Sequence, residues 1–361
     1  MKLTIILNFK NSNNFIIKLK PHIKKITDNY EILQSNNLKD ALTKAKGDFI
    51  LTLDKSTPKD LSFIQKLWEN KSDITVLSRI NKLSKNYIIN KISSKILQLP
   101  IKDVHSNIRI YKNIFKNINL DNKSNLQLQT LVKACFEGYK IKEIKIKDKK
   151  YNLKLNNYFK SLKILRRIRN SVNSADYDYR AYYSKFPLQG SWHRKRYNII
   201  MNFLDNKKNI LDLGCGGSKI IQDLKYAIGL DLAMNKLRFI KQKKQLLIRG
   251  DATNLPFKSS SFKTIICSEI IEHIKDGNKL LDEICRVLKK DGILILGTPD
   301  YNKITWNILE KTHNLFFKDL GHVHIRKYTF NSLNKLLKEK GFKIIGYKYI
   351  FNSELIIKAK K

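Results

Sequence analysis

A glycine-rich turn between an apolar strand and a helix constrains the fold of this chain more than any other feature. The segment spans residues 210–219, and Asp212 lies near the end of the predicted strand. Gly214 and Gly216 lack Cβ atoms where the backbone would pass close to a ligand. Seventeen residues after Gly214, a second apolar run ends at Asp231. This spacing predicts a doubly wound α/β fold with a nucleotide site, in which Asp231 accepts hydrogen bonds from ribose hydroxyls.

The same turn distinguishes between two adenosine cofactors. A dinucleotide site needs a third glycine so that the helix packs closely on the strand, and here Lys219 occupies that position. S-adenosylmethionine has no phosphate, and its ammonium and carboxylate can meet Asp212 and the turn backbone. A further apolar strand leads to Asp251, where an acceptor for the adenine amino group is needed. We therefore predict S-adenosylmethionine as the cofactor, bound by Asp212, Gly214, Gly216, Asp231, Asp251, Ala252 and Glu269.

Acidic and histidine side chains follow the next predicted strand. That strand ends at Glu269, and Glu272 and His273 come shortly after it. Further along, His322 and His324 are two residues apart on an extended segment and would share one face. Methyl transfer from a sulfonium requires in-line positioning and, for a weak nucleophile, a base. The candidate catalytic residues are Glu269, His273, His322 and His324, and a structural role for each histidine stays open.

Residues 209–358 resemble class I S-adenosylmethionine-dependent methyltransferases of the type 11 group. The matching segments contain the glycine turn, Asp231, Asp251 with Ala252, residues 268–273 and residues 288–294. The resemblance implies a seven-stranded sheet with an antiparallel last strand. It also implies that residues 176–184 form a lid, in which Tyr177, Arg180 and Tyr183 close over the cofactor. Ser218 departs from the family, which often has another glycine there.

Residues 1–150 alternate predicted strands and helices and resemble a family 2 glycosyltransferase of the dolichol-phosphate mannose synthase kind. The matching segments are 45–54, 76–79, 99–103, 106–111 and 134–143. The resemblance implies a GT-A-like domain in which Asp54 would help to hold a divalent metal. Lys55 and Ser56 interrupt the expected acid cluster, and the usual nucleotide-binding segment after the second strand is missing. We therefore predict that this domain is inactive as a glycosyltransferase.

Two further positions depart from that glycosyltransferase pattern. Gln129 stands where glutamate is usual, and Asn107 stands where glycine is usual. Arg79 and Arg109 keep the capacity to contact an acceptor phosphate as bidentate donors. The predicted role of the domain is therefore a retained scaffold, or an acceptor-binding module for a lipid-linked sugar.

The formal net charge of +40 is unevenly distributed. Residues 151–200 contain 11 basic and 2 acidic side chains, whereas residues 251–300 contain 7 and 8. The abundant lysine, asparagine and isoleucine also fit a coding bias towards A+T. The basic amphipathic segment near residue 160 predicts a helix that packs on its own domains or, alternatively, lies on an anionic membrane surface. No signal peptide or membrane span is predicted, and the four scattered cysteines indicate a reduced, cytoplasmic setting, with a peripheral inner-membrane location as the alternative.

We predict an α/β protein with two Rossmann-like domains. The divisions are a truncated glycosyltransferase-like domain at 1–150, a basic linker with lid helices at 151–200, and the methyltransferase domain at 201–361. The expected acceptor is a small molecule, a sugar or a lipid-linked glycan. Alternatives are a bifunctional glycosyltransferase and methyltransferase, and a nucleic-acid methyltransferase that uses the basic surface. No metal is expected, apart from one at Asp54 if the glycosyltransferase-like site were active. The sequence leaves the methyl acceptor, the base and the oligomeric state open.

Overall fold

The computed structural model describes residues 1–9, 12–78, 85–115, 118–121, 125–146, 158–241, 246–316 and 324–361. The chain divides into two compact units, Met1–Asn170 and Ser171–Lys361. The division falls within the segment that the sequence assigns to a basic linker and lid helices. Among the described helices, none is long and apolar enough to cross a membrane.

A six-stranded mixed sheet forms the centre of the N-terminal unit, in the order β2-β1-β3-β5-β4-β6. Strand β5 is antiparallel to both neighbours, and the other pairs are parallel. The strands are β1 Leu3–Leu7, β2 Tyr30–Gln34, β3 Phe49–Leu53, β4 Ile74–Ser78, β5 Arg109–Lys112 and β6 Ile141–Lys145. The helices are α1 Asn13–Lys24, α2 Leu38–Lys44, α3 Phe63–Glu69, α4 Lys85–Ile96, α5 Leu126–Phe136 and α6 Tyr158–Asn170.

The apolar runs of β1 and β4 are buried along their whole length, because helices cover both faces of the sheet. Separate clusters of buried aliphatic side chains lie on the two faces. The predicted alternation of strands and helices is therefore confirmed for this unit. The GT-A-like assignment of the sheet stays a prediction.

The basic helix α6 packs on the N-terminal unit. Leu162 and Leu165 are buried in its hydrophobic core, and the guanidinium of Arg169 donates to the carbonyl oxygen of Gln98 at 3.2 Å. Exposed positions such as Arg167 carry the positive charge. The apolar face that a membrane-surface helix would insert into a bilayer is therefore covered by protein, in favour of the packing alternative.

Arg109 lies in the interior of the N-terminal unit, contrary to the expectation that it contacts an acceptor phosphate. Its side chain has no exposed surface. Its guanidinium donates to the carbonyl oxygens of Ser106, Val104 and Gln127 at 2.7–3.0 Å and to the Thr130 hydroxyl at 2.9 Å. Because these internal acceptors occupy its donors, Arg109 connects β5 to the preceding loop and to α5, which is a structural role. Arg79 lies outside the described residues.

The C-terminal unit contains a seven-stranded sheet in the order β12-β13-β11-β10-β7-β8-β9. Strand β13 runs antiparallel to both β11 and β12, which confirms the predicted sheet with an antiparallel last strand. The strands are β7 Lys208–Leu213, β8 Tyr226–Asp231, β9 Leu246–Arg249, β10 Phe262–Ser268, β11 Leu288–Pro299, β12 Lys343–Ile350 and β13 Glu354–Lys360. The helices are α7 Tyr177–Tyr182, α8 Pro187–Phe203, α9 Lys219–Asp223, α10 Met234–Lys241, α11 Gly277–Val287, α12 Ile304–Phe316 and α13 Phe330–Glu339.

The strand order reverses beside β7. From β7 the chain moves outward through β8 and β9, and then returns to the other side of β7 with β10 and β11. In open α/β sheets, ligands bind at the carboxyl ends of the strands where the order reverses. A ligand site is therefore expected at the carboxyl ends of β7, β8 and β10.

One segment of this sheet is irregular. Residues 289–292, which contain the turn-favouring pair Asp-Gly, lie within β11. The pairing of β10 with β11 jumps from Phe262–Leu288 to Thr264–Ile293, so four residues of β11 lie opposite the single residue Lys263 of β10. Asp291 adopts a φ of +61° there. The turn residues are accommodated as a bulge because strand pairing continues on both sides of them.

Candidate functional site

The glycine turn follows β7 directly, and its first two glycines adopt left-handed backbone conformations. Gly214 has a φ of +57° and Gly216 a φ of +55°. A Cβ atom on Gly214 would lie 1.8 Å from Cδ1 of Ile270, and one on Gly216 would lie 2.6 Å from Oδ2 of Asp178. Backbone conformation and close packing therefore both require glycine at these two positions.

Asp231 connects the end of β8 to this turn. Its Oδ2 accepts a hydrogen bond from the Gly216 N–H at 2.8 Å, and its Oδ1 accepts from the Ala233 N–H at 2.7 Å. The carboxylate is partly exposed. The structure therefore brings Gly214, Gly216 and Asp231 together, as the spacing predicts.

Asp212 is the acid of the turn motif, and it is almost fully buried. Its side chain is 4% exposed, and its Oδ2 has no hydrogen-bond partner among the described residues. Burial, together with the nearby charges of Asp231 and Asp178, raises the pKa of Asp212 to about 8. The protein therefore holds a carboxyl group here that is mostly protonated at neutral pH and would favour a cationic neighbour.

Helix α7 adds an acid that the sequence prediction missed. Asp178 accepts the Gly217 N–H at 3.2 Å and lies 3.5 Å from the ammonium of Lys236. Burial opposes ionisation, yet the charge of Lys236 and the Gly217 N–H leave the pKa of Asp178 below its ordinary value. The sequence could have indicated Asp178, because this acid follows Tyr177 within the segment predicted to close over the cofactor.

The predicted lid residues have different environments. Arg180 forms an ion pair with Asp176 at 3.1 Å, within its own helix. The ring of Tyr177 packs edge-on against His193, whereas Tyr183 is 53% exposed. Of the lid residues, Asp178 is therefore the one that bonds to the glycine turn in the described residues.

Asp251 and Ala252 follow β9 in a short turn. The Oδ1 of Asp251 accepts from the backbone N–H and the hydroxyl of Thr253, at 2.8 and 2.9 Å. Asp251 is exposed and Ala252 partly buried. Asp251 therefore keeps its second oxygen at a surface beyond the ends of β8 and β9.

An ionic cluster lies beyond the end of β10. Arg196 of α8 donates two hydrogen bonds of 2.6 Å to Glu354, whose side chain is 1% exposed, and its Nη2 lies 3.1 Å from Oε2 of Glu269. Burial opposes the charge of Arg196, yet the two carboxylates raise its pKa above the ordinary value. Glu269 has a φ of +59°, a strained conformation for a glutamate, and burial raises its pKa. Arg196 and Glu354 were not predicted, because no local pattern marks a pair 158 residues apart.

The other catalytic candidates lie in or beside the 3-10 turn that follows β10. Glu272 and His273 belong to a single 3-10 turn, Ile271–His273. The ring of His273 lies edge-on to that of His324, with 5.0 Å between centroids. The Nδ1 of His324 lies 2.7 Å from the hydroxyl of Tyr301. His322 lies outside the described residues. The structure therefore brings His273 and His324 together and places Glu269 against Arg196.

Comparison with known proteins agrees with this geometry. Residues 211–296 match the model of a methyltransferase domain. An uncharacterised protein of Methanocaldococcus jannaschii is 30% identical over 177 residues, 44% of this chain and 69% of the relative. A probable S-adenosylmethionine-dependent methyltransferase of Mycolicibacterium smegmatis is 27% identical, over 42% of this chain and 60% of the relative. A demethylmenaquinone methyltransferase of Thermotoga maritima is 28% identical, over 44% and 80%.

Among solved structures, an S-adenosylmethionine-dependent methyltransferase of Thermotoga maritima, titled a possible histamine N-methyltransferase, is similar with a TM-score of 0.42 and 21% identity. The match covers 50% of this chain and 96% of that one. The region that matches the family model, residues 211–296, contains the glycine turn and Asp231, which the Gly216 N–H joins by a hydrogen bond. The C-terminal unit therefore contains a methyltransferase domain, and its cofactor is S-adenosylmethionine.

Proposed function

We propose that the chain transfers a methyl group to a small molecule, a sugar or a lipid-linked glycan at the carboxyl ends of β7, β8 and β10. The observation that carries this proposal is the hydrogen bond from Gly216 N–H to the carboxylate of Asp231. This hydrogen bond joins the glycine turn after β7 to the acid at the end of β8, where the strand order reverses. A methyl donor with an adenosine group needs both of these elements.

The residues present fit S-adenosylmethionine. The unpartnered oxygen of Asp212 suits the ammonium of the methionine moiety, since a cation beside a buried carboxyl group offsets the cost of ionising it. In this proposal Asp231 accepts from the ribose hydroxyls, and the exposed residue Asp251 accepts from the adenine amino group. When bound, the cofactor supplies a methyl group on a positively charged sulfur, ready for in-line attack.

The acceptor side of the site is assigned to Glu269, His273 and His324. Glu269 is held by Arg196, so its role would be to position a group rather than to move a proton. The two imidazoles lie together beside the 3-10 turn, with His273 exposed and therefore accessible to an acceptor. His322 completes the proposed set. Small-molecule chemistry is supported by the demethylmenaquinone methyltransferase among the relatives.

The N-terminal unit is proposed to be a glycosyltransferase-like module that has lost donor binding and is retained as a scaffold or as a binding module for a lipid-linked sugar. Asp54 accepts from the backbone and hydroxyl of Ser56 and from the side-chain amide of Asn107, so neutral internal donors occupy both oxygens. Gln129 is fully buried and bonds to Asp121. These contacts support a structural role for the positions at which the acid cluster is broken.

If donor binding is lost, calorimetric titration of the full chain with a UDP-sugar or a GDP-sugar in the presence of Mn²⁺ gives no binding heat. The physical reason is that one carboxylate with a lysine neighbour, Lys55, is a poor ligand set for a divalent cation. Metal-dependent binding that disappears in Asp54→Ala would instead support the bifunctional alternative.

Asp231→Ala is expected to weaken S-adenosylmethionine binding roughly 100-fold or more. Two charge-assisted hydrogen bonds to ribose are lost, each worth about 1.5–3 kcal/mol. Isothermal titration calorimetry measures the change. Asp282→Ala, which removes an exposed surface acid of the same unit, serves as the matched control and keeps wild-type affinity. Unchanged binding by Asp231→Ala would remove the ribose assignment.

Cofactor binding between pH 6 and 7 is expected to release close to one proton from Asp212. The carboxyl group, with its pKa of about 8, is protonated in the free protein in that range, and the ammonium of the cofactor favours its ionised form. Affinity therefore rises with pH towards 8, where the free carboxyl group already ionises. Calorimetry in two buffers of different ionisation enthalpy counts the proton, and Asp212→Asn abolishes the release. Equal release by both proteins would contradict the assignment.

Transfer of labelled methyl groups from S-adenosylmethionine to separated cell fractions identifies the acceptor class. We expect label in the polar metabolite, lipid or glycan fraction, and none with Asp231→Ala. Label in RNA that falls steeply with added salt would favour the nucleic-acid alternative, because such binding depends on the release of counterions from phosphates.

A further inference from the structure

Three side chains of metal-binding type converge beside the 3-10 turn that follows β10. One ligand atom each from Glu272, His273 and His324 lies within 4.8 Å of the other two. We propose that these three residues bind a divalent metal ion of the zinc class. Imidazole nitrogens together with one carboxylate form a ligand set that suits zinc and neighbouring transition metals rather than magnesium or calcium.

Glu272 gives the strongest reason for a cation. Its side chain has no exposed surface, and neither carboxylate oxygen has a hydrogen bond of normal geometry among the described residues, although the Thr298 hydroxyl and the charge of Arg196 lie near it. A carboxylate buried without a partner costs several kcal/mol, and a metal ion offsets that cost directly. The burial of the Glu272 carboxyl group therefore gives a second, independent reason to expect a positively charged ligand beside the 3-10 turn.

The surroundings of His324 orient it as a ligand. Its Nδ1 lies 2.7 Å from the Tyr301 hydroxyl, and that hydroxyl donates to Oε1 of Glu310 at 2.7 Å. Because the carboxylate only accepts, the hydroxyl accepts from Nδ1–H, and this tautomer leaves the lone pair on Nε2. The ring of Trp306 stacks on the imidazole at 5.8 Å between centroids. Metal-binding histidines are commonly held through their other nitrogen in this way.

The spacing requires only small movements. Ligand atoms about 2.1 Å from a tetrahedral metal are about 3.4 Å apart. The distances between the three ligand atoms, which are at most 4.8 Å, must therefore decrease by up to about 1.4 Å when the metal binds. His273 is exposed, and His324 is held by the Tyr301 hydroxyl and the stacked ring of Trp306. Three protein ligands leave a fourth position open, as in catalytic zinc sites.

An acceptor hydroxyl bound at that fourth position would release its proton to solvent water more readily, so the metal would assist the deprotonation that a weak nucleophile needs. This role rests on the proposed methyl transfer. The metal site itself does not, and its test therefore uses metal binding as the readout.

The experiment titrates chelator-treated, full-length protein with Co²⁺ and follows visible absorbance, then adds Zn²⁺. We expect one Co²⁺ per chain, with the intense bands of a four-coordinate site, and displacement by Zn²⁺. Glu272→Gln, His273→Ala and His324→Ala should each weaken binding at least about tenfold. Tyr301→Phe, which removes only the hydroxyl beside His324, should weaken it about 10–100-fold. His22→Ala, an imidazole in the N-terminal unit, is the matched control and binds Co²⁺ normally.

Titration of each variant with S-adenosylmethionine separates loss of the metal from loss of the fold. No hydrogen bond among the described residues joins these three ligands to Gly216 or Asp231, so we expect the variants to bind the cofactor as the wild type does. Absence of Co²⁺ binding by the wild type, or equal binding by variants that still bind the cofactor, would overturn the proposal. Metal binding without cofactor binding would instead contradict the proposed function and leave the metal site standing.

Discussion

The hydrogen bond between Gly216 N–H and the Asp231 carboxylate is the contact on which the C-terminal unit depends for its function. It ties the turn after β7 to the end of β8, two neighbouring parallel strands. Glycine is required for it, because Gly214 and Gly216 both take left-handed conformations in space already filled by Ile270 and Asp178. Substitution of either glycine would move the N–H groups that face a cofactor.

The C-terminal unit buries several acids, among them Asp212, Glu272 and Glu354. In the part of the chain that the structure describes, Asp212 and Glu272 form no ion pair, whereas Glu354 shares Arg196 with Glu269. Such an arrangement lowers stability in the free protein, since each buried carboxyl group either gives up its charge or lacks compensation. Positively charged ligands would relieve that cost, which is why we assign a cofactor ammonium to one acid and a metal ion to the other.

Two residues of the N-terminal unit that the sequence offered as ligand contacts have internal partners instead. Arg109 is fully buried, and carbonyl and hydroxyl oxygens accept from its guanidinium. Ser56 and Asn107 donate to the carboxylate of Asp54. These contacts support a structural role for Arg109 and Asp54.

Local patterns were sufficient to predict much of this protein, because strand periodicity, glycine turns and acids at strand ends are properties of short segments. They predicted the alternation of strands and helices and the meeting of Gly216 with Asp231, since parallel strands place their carboxyl ends at one edge, whereas the seven-stranded sheet was implied by the family resemblance. They did not predict the Arg196–Glu354 pair or the isolation of Glu272. Those features depend on how α8, β13 and the 3-10 turn pack against one another. Only the tertiary structure determines which acidic side chains are shielded from water, and that shielding determines how readily these acids ionise.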